Sequence, residues 1–169
     1  MASASGSLTI PWSGVEHVNV ARVFRKLRDQ YIDWRYGAIN LEAPVGKRGE
    51  QAAARLLRRK GLTVVAESES DRGGEIDLIA IDDRKKVIIF VEVKTLATTK
   101  PGHPADRVDE NKQRRVTRAA LRYLKRKKLL GIAARFDVVA VWWPKDHEQP
   151  EKIQHYESAF DAAGDFQMY

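Results

Sequence analysis

The sequence predicts an α/β domain with elements in the order helix, three strands, helix, strand. Three observations carry this expectation. Lys47 to Lys60 and Glu110 to Leu130 repeat apolar residues at helical spacing, and each run stops at a glycine, Gly61 and Gly131. After the first helix, Leu62 to Ala66, Ile76 to Ile81 and Val87 to Val93 are rich in β-branched residues, as strands are. Arg135 to Trp143 is apolar on both faces, the mark of an internal strand.

Composition sets the frame. With 169 residues and 43% hydrophobic content, the chain can bury a real core in one domain plus an extension. A net charge of +7 favours polyanionic partners, nucleic acid before an anionic membrane surface. The absence of cysteine excludes disulfides and thiolate metal sites and agrees with a cytoplasmic location. His17, His103, His147 and His155 lack zinc-site spacing and read as surface or packing residues. No apolar stretch approaches the roughly 20 residues of a membrane span. The start of the chain has neither the charged beginning nor the apolar centre of a secretory signal.

Residues 1–45 read as an extension, 46–160 as the main domain and 161–169 as a tail. Within the extension, Val20, Val23, Phe24, Leu27, Tyr31 and Trp34 recur at helical spacing. The plainer expectation is that this stripe docks on the main domain or on another subunit. Arg22, Arg25, Lys26, Arg28 and Arg35 on the other face leave nucleic acid or a membrane surface open. Leu41 to Gly46, with Pro44, reads as a linker.

In the first helix of the main domain, Ala53, Ala54 and Leu57 form the core stripe and Glu50 lies on it, its carboxylate turned inward near the helix start. Glu50 is either an acid favoured by the helix dipole or a third acidic group for a metal, direct or through water.

The run Gly74 to Lys94 is the most telling. If Asp82 faces Val87 across the polar turn, pairing residue by residue brings Asp77 opposite Glu92 in an antiparallel hairpin. Like charges at about 5 Å are destabilising there. Glu92 and Lys94 share a face with Ile88 and Phe90, while Val87, Ile89, Val91 and Val93 take the other, so neither face is solvated. A divalent cation between the two acids, with Lys94 beside it, accounts for the pattern, because hard cations take oxygen ligands. The alternative is a Glu92–Lys94 strand-end pair with Asp77 capping a turn.

Thr95 to Asp109, with Pro101, Gly102 and Pro104, reads as a loop leaving the active edge. The second helix buries Val116, Ala119, Ala120, Tyr123 and Leu124. Arg114, Arg115, Arg118, Arg122, Lys125 and Arg126 give it a basic outside, extended by Lys127 and Lys128, with no acid after Glu110. Phosphate contact is the expected use. Lys112 falls on the inward side at the helix start, either reaching the carboxylates or a bound phosphate, or keeping its head in water. In the next strand Asp137 reads as a structural hydrogen-bonding acid, and Ile153 to Tyr156 as a short edge strand.

Asp77 and the Glu92-Val93-Lys94 triplet, set at strand ends in this element order, resemble the PD-(D/E)XK nuclease superfamily. More closely, GKRGEQAAARLL, GGEIDLIA, VEVKT, KQRRVTRAALRYL and RFDVVAV resemble the YraN family of small endonuclease-like bacterial proteins, over Gly46 to about Phe160. The resemblance implies a restriction-endonuclease-like core, a mixed sheet flanked by helices, similar to archaeal Holliday-junction resolvases. It also implies roles: Asp77 and Glu92 ligating Mg²⁺ or Mn²⁺, Lys94 positioning or helping to deprotonate the attacking water, and Glu50 matching the helical acid of resolvase-type sites. With Lys112 these form the expected catalytic set. Ile76 stands where the superfamily has proline, which is not a ligand. ESESDR before Gly73 and Leu96 after VEVKT each remove positive charge usual in relatives.

The first functional expectation is therefore a metal-dependent endonuclease on DNA, structured or branched, with a homodimer suited to paired incisions. A nucleic-acid-binding protein without cleavage and an RNA- or ribosome-associated factor are the competing readings.

Overall fold

The computed structural model describes residue 27 and residues 30–71, 74–97 and 108–163. Residues 30–36 belong to a helix, α1. Then follow α2 (Val45–Arg59), β1 (Thr63–Asp71), β2 (Gly74–Asp82), β3 (Val87–Leu96), α3 (Glu110–Lys127), β4 (Ala134–Trp142) and β5 (Lys152–Phe160). The strands form one five-stranded sheet in the order β1-β2-β3-β4-β5. Only β3 and β4 are parallel; the other neighbours are antiparallel. A parallel pair needs a crossover, and α3 supplies it. The fold is thus mixed α/β, in the expected element order, with the short edge strand expected at Ile153–Tyr156 forming β5.

Strand alternation sorts the core into two layers. Ile89 and Val91 face α2, where Ala52, Ala53, Ala54 and Leu57 pack on them with Leu78, Ala80, Val139 and Val141. Ile88 and Phe90 face α3, meeting Val116, Ala119, Ala120, Tyr123 and Leu124. Small residues bring α2 close to the sheet. A β-carbon on Gly49 would lie 1.9 Å from Thr95 Oγ1, so α2 crosses the end of β3 at a distance only glycine permits.

Several boundaries differ from the sequence reading. Helix α2 starts two residues before Lys47, with Pro44 at its N-cap position, and turns off at Gly61 with φ 84°. Helix α3 stops at Lys127 rather than Leu130, because Lys128 adopts the left-handed cap conformation assigned to Gly131. Strand β1 continues from Ala66 through Glu67–Asp71, and β5 extends beyond Ile153–Tyr156 in both directions. Both are edge strands, held by backbone pairing on one side, so their side-chain pattern is weak. A register shift between Val64 and Ala66 and a φ of 50° at Ser68 further break the alternation in β1.

The hairpin turn is as expected, with Asp82 opposite Val87. The ladder runs back from there to Leu78 opposite Val91. It stops one pair short of Asp77 and Glu92, so the expected register holds along the ladder but the expected Asp77–Glu92 pair is not part of it. Here β2 also loses strict alternation: Ile76 and Ile79 share the α3 layer, while Leu78 and Ala80 lie in the α2 layer.

Helix α1 departs most. Of the two partners expected for the stripe, the described part of the domain does not cover Leu27, Tyr31 and Trp34, which are 55%, 57% and 79% exposed. Its polar side holds it instead, through Asp33 to Arg55 at 2.9 Å and Arg58 donating to the Tyr36 carbonyl at 3.2 Å. The upstream stripe residues Val20, Val23 and Phe24, together with His17 and the loop residues around His103, lie outside the described residues.

Candidate active site

Where the β2–β3 ladder ends, the side chain of Asp77 replaces the missing backbone partner. Its Oδ2 accepts a hydrogen bond from the Val93 N–H at 2.6 Å. This fixes one carboxylate beside the strand that carries the other. Glu92 is only 3% exposed, on the α3 side of β3. Lys94 Nζ lies 3.0 Å from its Oε1, and Lys112 Nζ lies 3.0 Å from its Oε2. The Lys112 contact is an ion pair, and among the described residues Glu92 Oε2 is buried with no hydrogen bond. Lys112 arrives there because Asp109 caps α3, its Oδ1 accepting from the Lys112 N–H at 2.8 Å.

The charges are close enough to perturb one another. Burial first, and then the neighbouring Glu92, push the Asp77 carboxyl up to about 7, against the lowering effects of the Val93 hydrogen bond and Lys112. Two lysines therefore offset an acid pair that burial alone makes unfavourable.

Glu50 also raises Asp77, so its charge is felt at the pair. Yet its Oε2 is already engaged, by Lys47 Nζ at 2.7 Å and by Ser68 Oγ at 2.9 Å, while Lys47 also donates to Ser68 Oγ at 2.6 Å. Sequence reasoning missed Lys47 and Ser68. The i,i+3 spacing of Lys47 and Glu50 was a usable signal. Ser68 gave none, because it is placed by the irregular backbone of β1.

Among the described residues, no three acid or histidine side chains converge as an ion-holding group. Asp77 and Glu92 nonetheless suit a small hard cation. Mg²⁺ is commonly held by one or two carboxylates, with phosphate and water filling the remaining positions. A buried carboxylate oxygen without a hydrogen bond is a fitting donor.

Helix α3 turns its basic side outward. Arg114, Arg115, Arg118, Lys125 and Arg126 are exposed and Arg122 is half-buried. Arg114 pairs with Glu110 at 3.3 Å, and Arg126 contacts Glu69 and lies over the Tyr123 ring at 5.5 Å. A further ionic cluster ties β4 to β5. Buried Asp137 accepts from Arg135 at 2.9 Å and from the Ser158 N–H at 2.9 Å, and shares a 2.8 Å contact with His155 Nε2. Lys60 Nζ, 2.9 Å from His155 Nδ1, can only donate, so Nε2 carries the proton toward Asp137. Those partners hold the Asp137 carboxyl below its ordinary value against the opposing effect of burial. This bears out the reading of Asp137 as a structural acid and gives His155 a packing role. A cavity of about 550 Å³ between α1, α2 and the β4–β5 connection, lined by Ile32, Ile39, Arg55, Leu56 and Ile153, touches neither Asp77 nor Glu92.

Fold and site define a mixed α/β domain in which buried Glu92, half-buried Asp77 and two lysines meet at the end of a central strand, beside an arginine-rich helix. The chain belongs to the uncharacterised protein family UPF0102, whose model matches residues 49–141. It is similar to a UPF0102 protein of Rhodopirellula baltica, 70% identical over 139 residues covering 82% of this chain and 83% of that relative. Similar proteins from Desulfosudis oleivorans and Geotalea daltonii are 41% and 42% identical, covering 73% and 70% of this chain and 95% and 91% of the relatives. Among the described residues, no helix is long and apolar enough to cross a membrane.

Proposed function

We propose that this protein is a metal-dependent endonuclease that hydrolyses phosphodiester bonds in DNA, with structured or branched DNA as its substrate. The observation that carries the reading is buried Glu92 with half-buried Asp77 beside it and Lys94 and Lys112 on the Glu92 oxygens. It agrees with the resemblance to PD-(D/E)XK nucleases and archaeal resolvases, in which such a set is catalytic.

Asp77 and Glu92 would hold Mg²⁺ or Mn²⁺, with Glu50 as an outer acid. A bound ion of this kind activates water and offsets charge on the phosphorane-like transition state. Lys94, next to Glu92, orients the attacking water and helps take its proton. Lys112 meets a non-bridging phosphate oxygen, and the exposed cations of α3 hold the flanking backbone.

A second reading has a specific observation in its favour. Lys94 and Lys112 already balance Glu92, which suits a nucleic-acid binder that keeps the fold without cutting, on DNA or RNA. Incubating the protein with labelled duplex, single-stranded, flap and four-way-junction DNA, in Mg²⁺, Mn²⁺ or EDTA, separates the two. Cutting that needs the metal and prefers a branch supports the nuclease. Tight, salt-sensitive binding without any cutting replaces it with the binder.

A further inference from the structure

Glu50 has the chemistry of a third ligand and the geometry of a captured acid. Helix α2 crosses the end of β3 at Gly49, one residue before it, and the charge of Glu50 is felt at Asp77. Yet its Oε2 accepts from Lys47 Nζ at 2.7 Å and from Ser68 Oγ at 2.9 Å, while Lys47 also donates to Ser68 Oγ at 2.6 Å. Three side chains from α2 and β1 thus close a ring of hydrogen bonds around one carboxylate oxygen. Glu67, the acid next to Ser68 on β1, is held separately by Arg58 at 2.8 Å.

Two members of the ring sit where local structure disfavours them. Lys47 lies in the first turn of α2, which has no acid and no side-chain cap, and a cation at that end opposes the helix dipole. Ser68 holds a φ of 50°, in the left-handed region that serine seldom adopts. Helix propensity and sheet pairing account for neither placement. The contact the two share is Glu50.

The consequence for the site is one of charge and ligand number. Glu92 Oε2 is buried with no hydrogen bond among the described residues, whereas Glu50 Oε2 already takes two and faces an ammonium. Asp77 and Glu92 then remain as the ligating acids. Two carboxylates, with water and phosphate, suit Mg²⁺ or Mn²⁺, while Ca²⁺ takes roughly six to eight oxygens and gains from a third carboxylate. We infer that Lys47, anchored by Ser68, is a positioning residue that withholds Glu50 from the ion and so sets the preference of the site for Mg²⁺ or Mn²⁺ over Ca²⁺. This role rests on the proposed metal site and names what selects the ion there.

The test is calorimetric titration of the full chain, without DNA, by Mn²⁺ and by Ca²⁺. Wild type should bind Mn²⁺ more tightly than Ca²⁺. Lys47→Met should raise Ca²⁺ affinity about tenfold or more and Mn²⁺ affinity only a few-fold, because it frees a third carboxylate. Lys47→Arg keeps the cation and should keep the wild-type ratio, and Lys47→Met/Glu50→Gln should lose the gained Ca²⁺ affinity. Lys85→Met removes the same charge in the β2–β3 turn, at the other end of the hairpin, and should change neither affinity. If Lys47→Met does not fold, Lys47→Gln, which keeps a donor for Ser68, gives the same reading. An unchanged ratio without Lys47, an equal gain in Lys85→Met, or a wild type that takes Ca²⁺ as tightly as Mn²⁺ overturns the role of Lys47 and leaves the metal site standing. No Mn²⁺ binding by wild type, or binding that Glu92→Gln leaves intact, overturns the metal site and this role with it.

Discussion

Asp77 Oδ2 accepts the Val93 N–H at 2.6 Å at the point where the β2–β3 ladder ends. One carboxylate thus both terminates strand pairing and stands beside Glu92. Asp77→Asn keeps an acceptor for Val93 and removes the repulsion with Glu92, so in metal-free buffer at pH 8 it should raise stability. Asp77→Ala leaves Val93 without its partner and should fall below Asp77→Asn by about 1–3 kcal/mol. Urea unfolding of both variants tests this; equal stabilities would contradict the role given to the hydrogen bond.

The same carboxyl sets a pH dependence. Its value is raised to about 7 in the folded protein, so the folded state binds the proton more tightly than the unfolded chain. The associated stability is complete below about pH 4 and is lost as pH rises to about 7, up to about 4 kcal/mol in all. Subtracting the Asp77→Asn stability profile from that of wild type should leave this decline. A flat difference would place Asp77 in a less buried setting. Ionisation also prepares a ligand, so Mg²⁺ should raise the melting temperature more at pH 8 than at pH 6.

The His155–Asp137–Arg135 cluster should act on stability alone. Asp137→Ala leaves Arg135 without its buried partner and is expected to cost about 3–5 kcal/mol. Cleavage per folded molecule should be unchanged. A selective loss of turnover would mean that the cluster communicates with the site.

Gly49→Ala tests the approach of α2 to the end of β3, because the added carbon would overlap Thr95 Oγ1. The expected loss is about 2 kcal/mol, and Thr95→Gly should restore part of it. Full stability in Gly49→Ala alone would show that the helix has room to retreat.

On α3, Arg118→Ala with Lys125→Ala should weaken binding to duplex DNA of any sequence. It should also reduce the slope of log affinity against log salt by about 2, one condensed counterion for each lost phosphate contact. An unchanged slope would move the DNA to another surface.

Much of this was legible because strand periodicity is a strong signal when both faces are buried. The placement of Glu92 and Lys94 with Ile88 and Phe90 followed from alternation alone, and the Asp82–Val87 turn pair set the hairpin register down to Leu78. What failed depended on contacts distant in sequence. Alternation does not reveal that Asp77 leaves the ladder to bond Val93. Nor does it reveal that Ser68, at φ 50°, reaches Glu50 from a neighbouring strand. His155 gave no hint of Asp137, eighteen positions away, because β5 joins them only on folding. Of the stripe read on α1, Leu27, Tyr31 and Trp34 are left exposed by the described part of the domain; amphipathicity says which residues share a side but not what lies against it.

The central claim is that Glu92 and Lys94 perform metal-dependent phosphodiester hydrolysis. Single-turnover cleavage of the best DNA substrate at saturating protein, in Mg²⁺, by wild type, Glu92→Gln and Lys94→Ala tests it most directly. The expected result is cutting by wild type that EDTA abolishes, with losses of about a hundredfold or more in both variants while DNA affinity stays within a few-fold. Equal cutting by all three proteins, or cutting that survives EDTA, would contradict the assignment of the site.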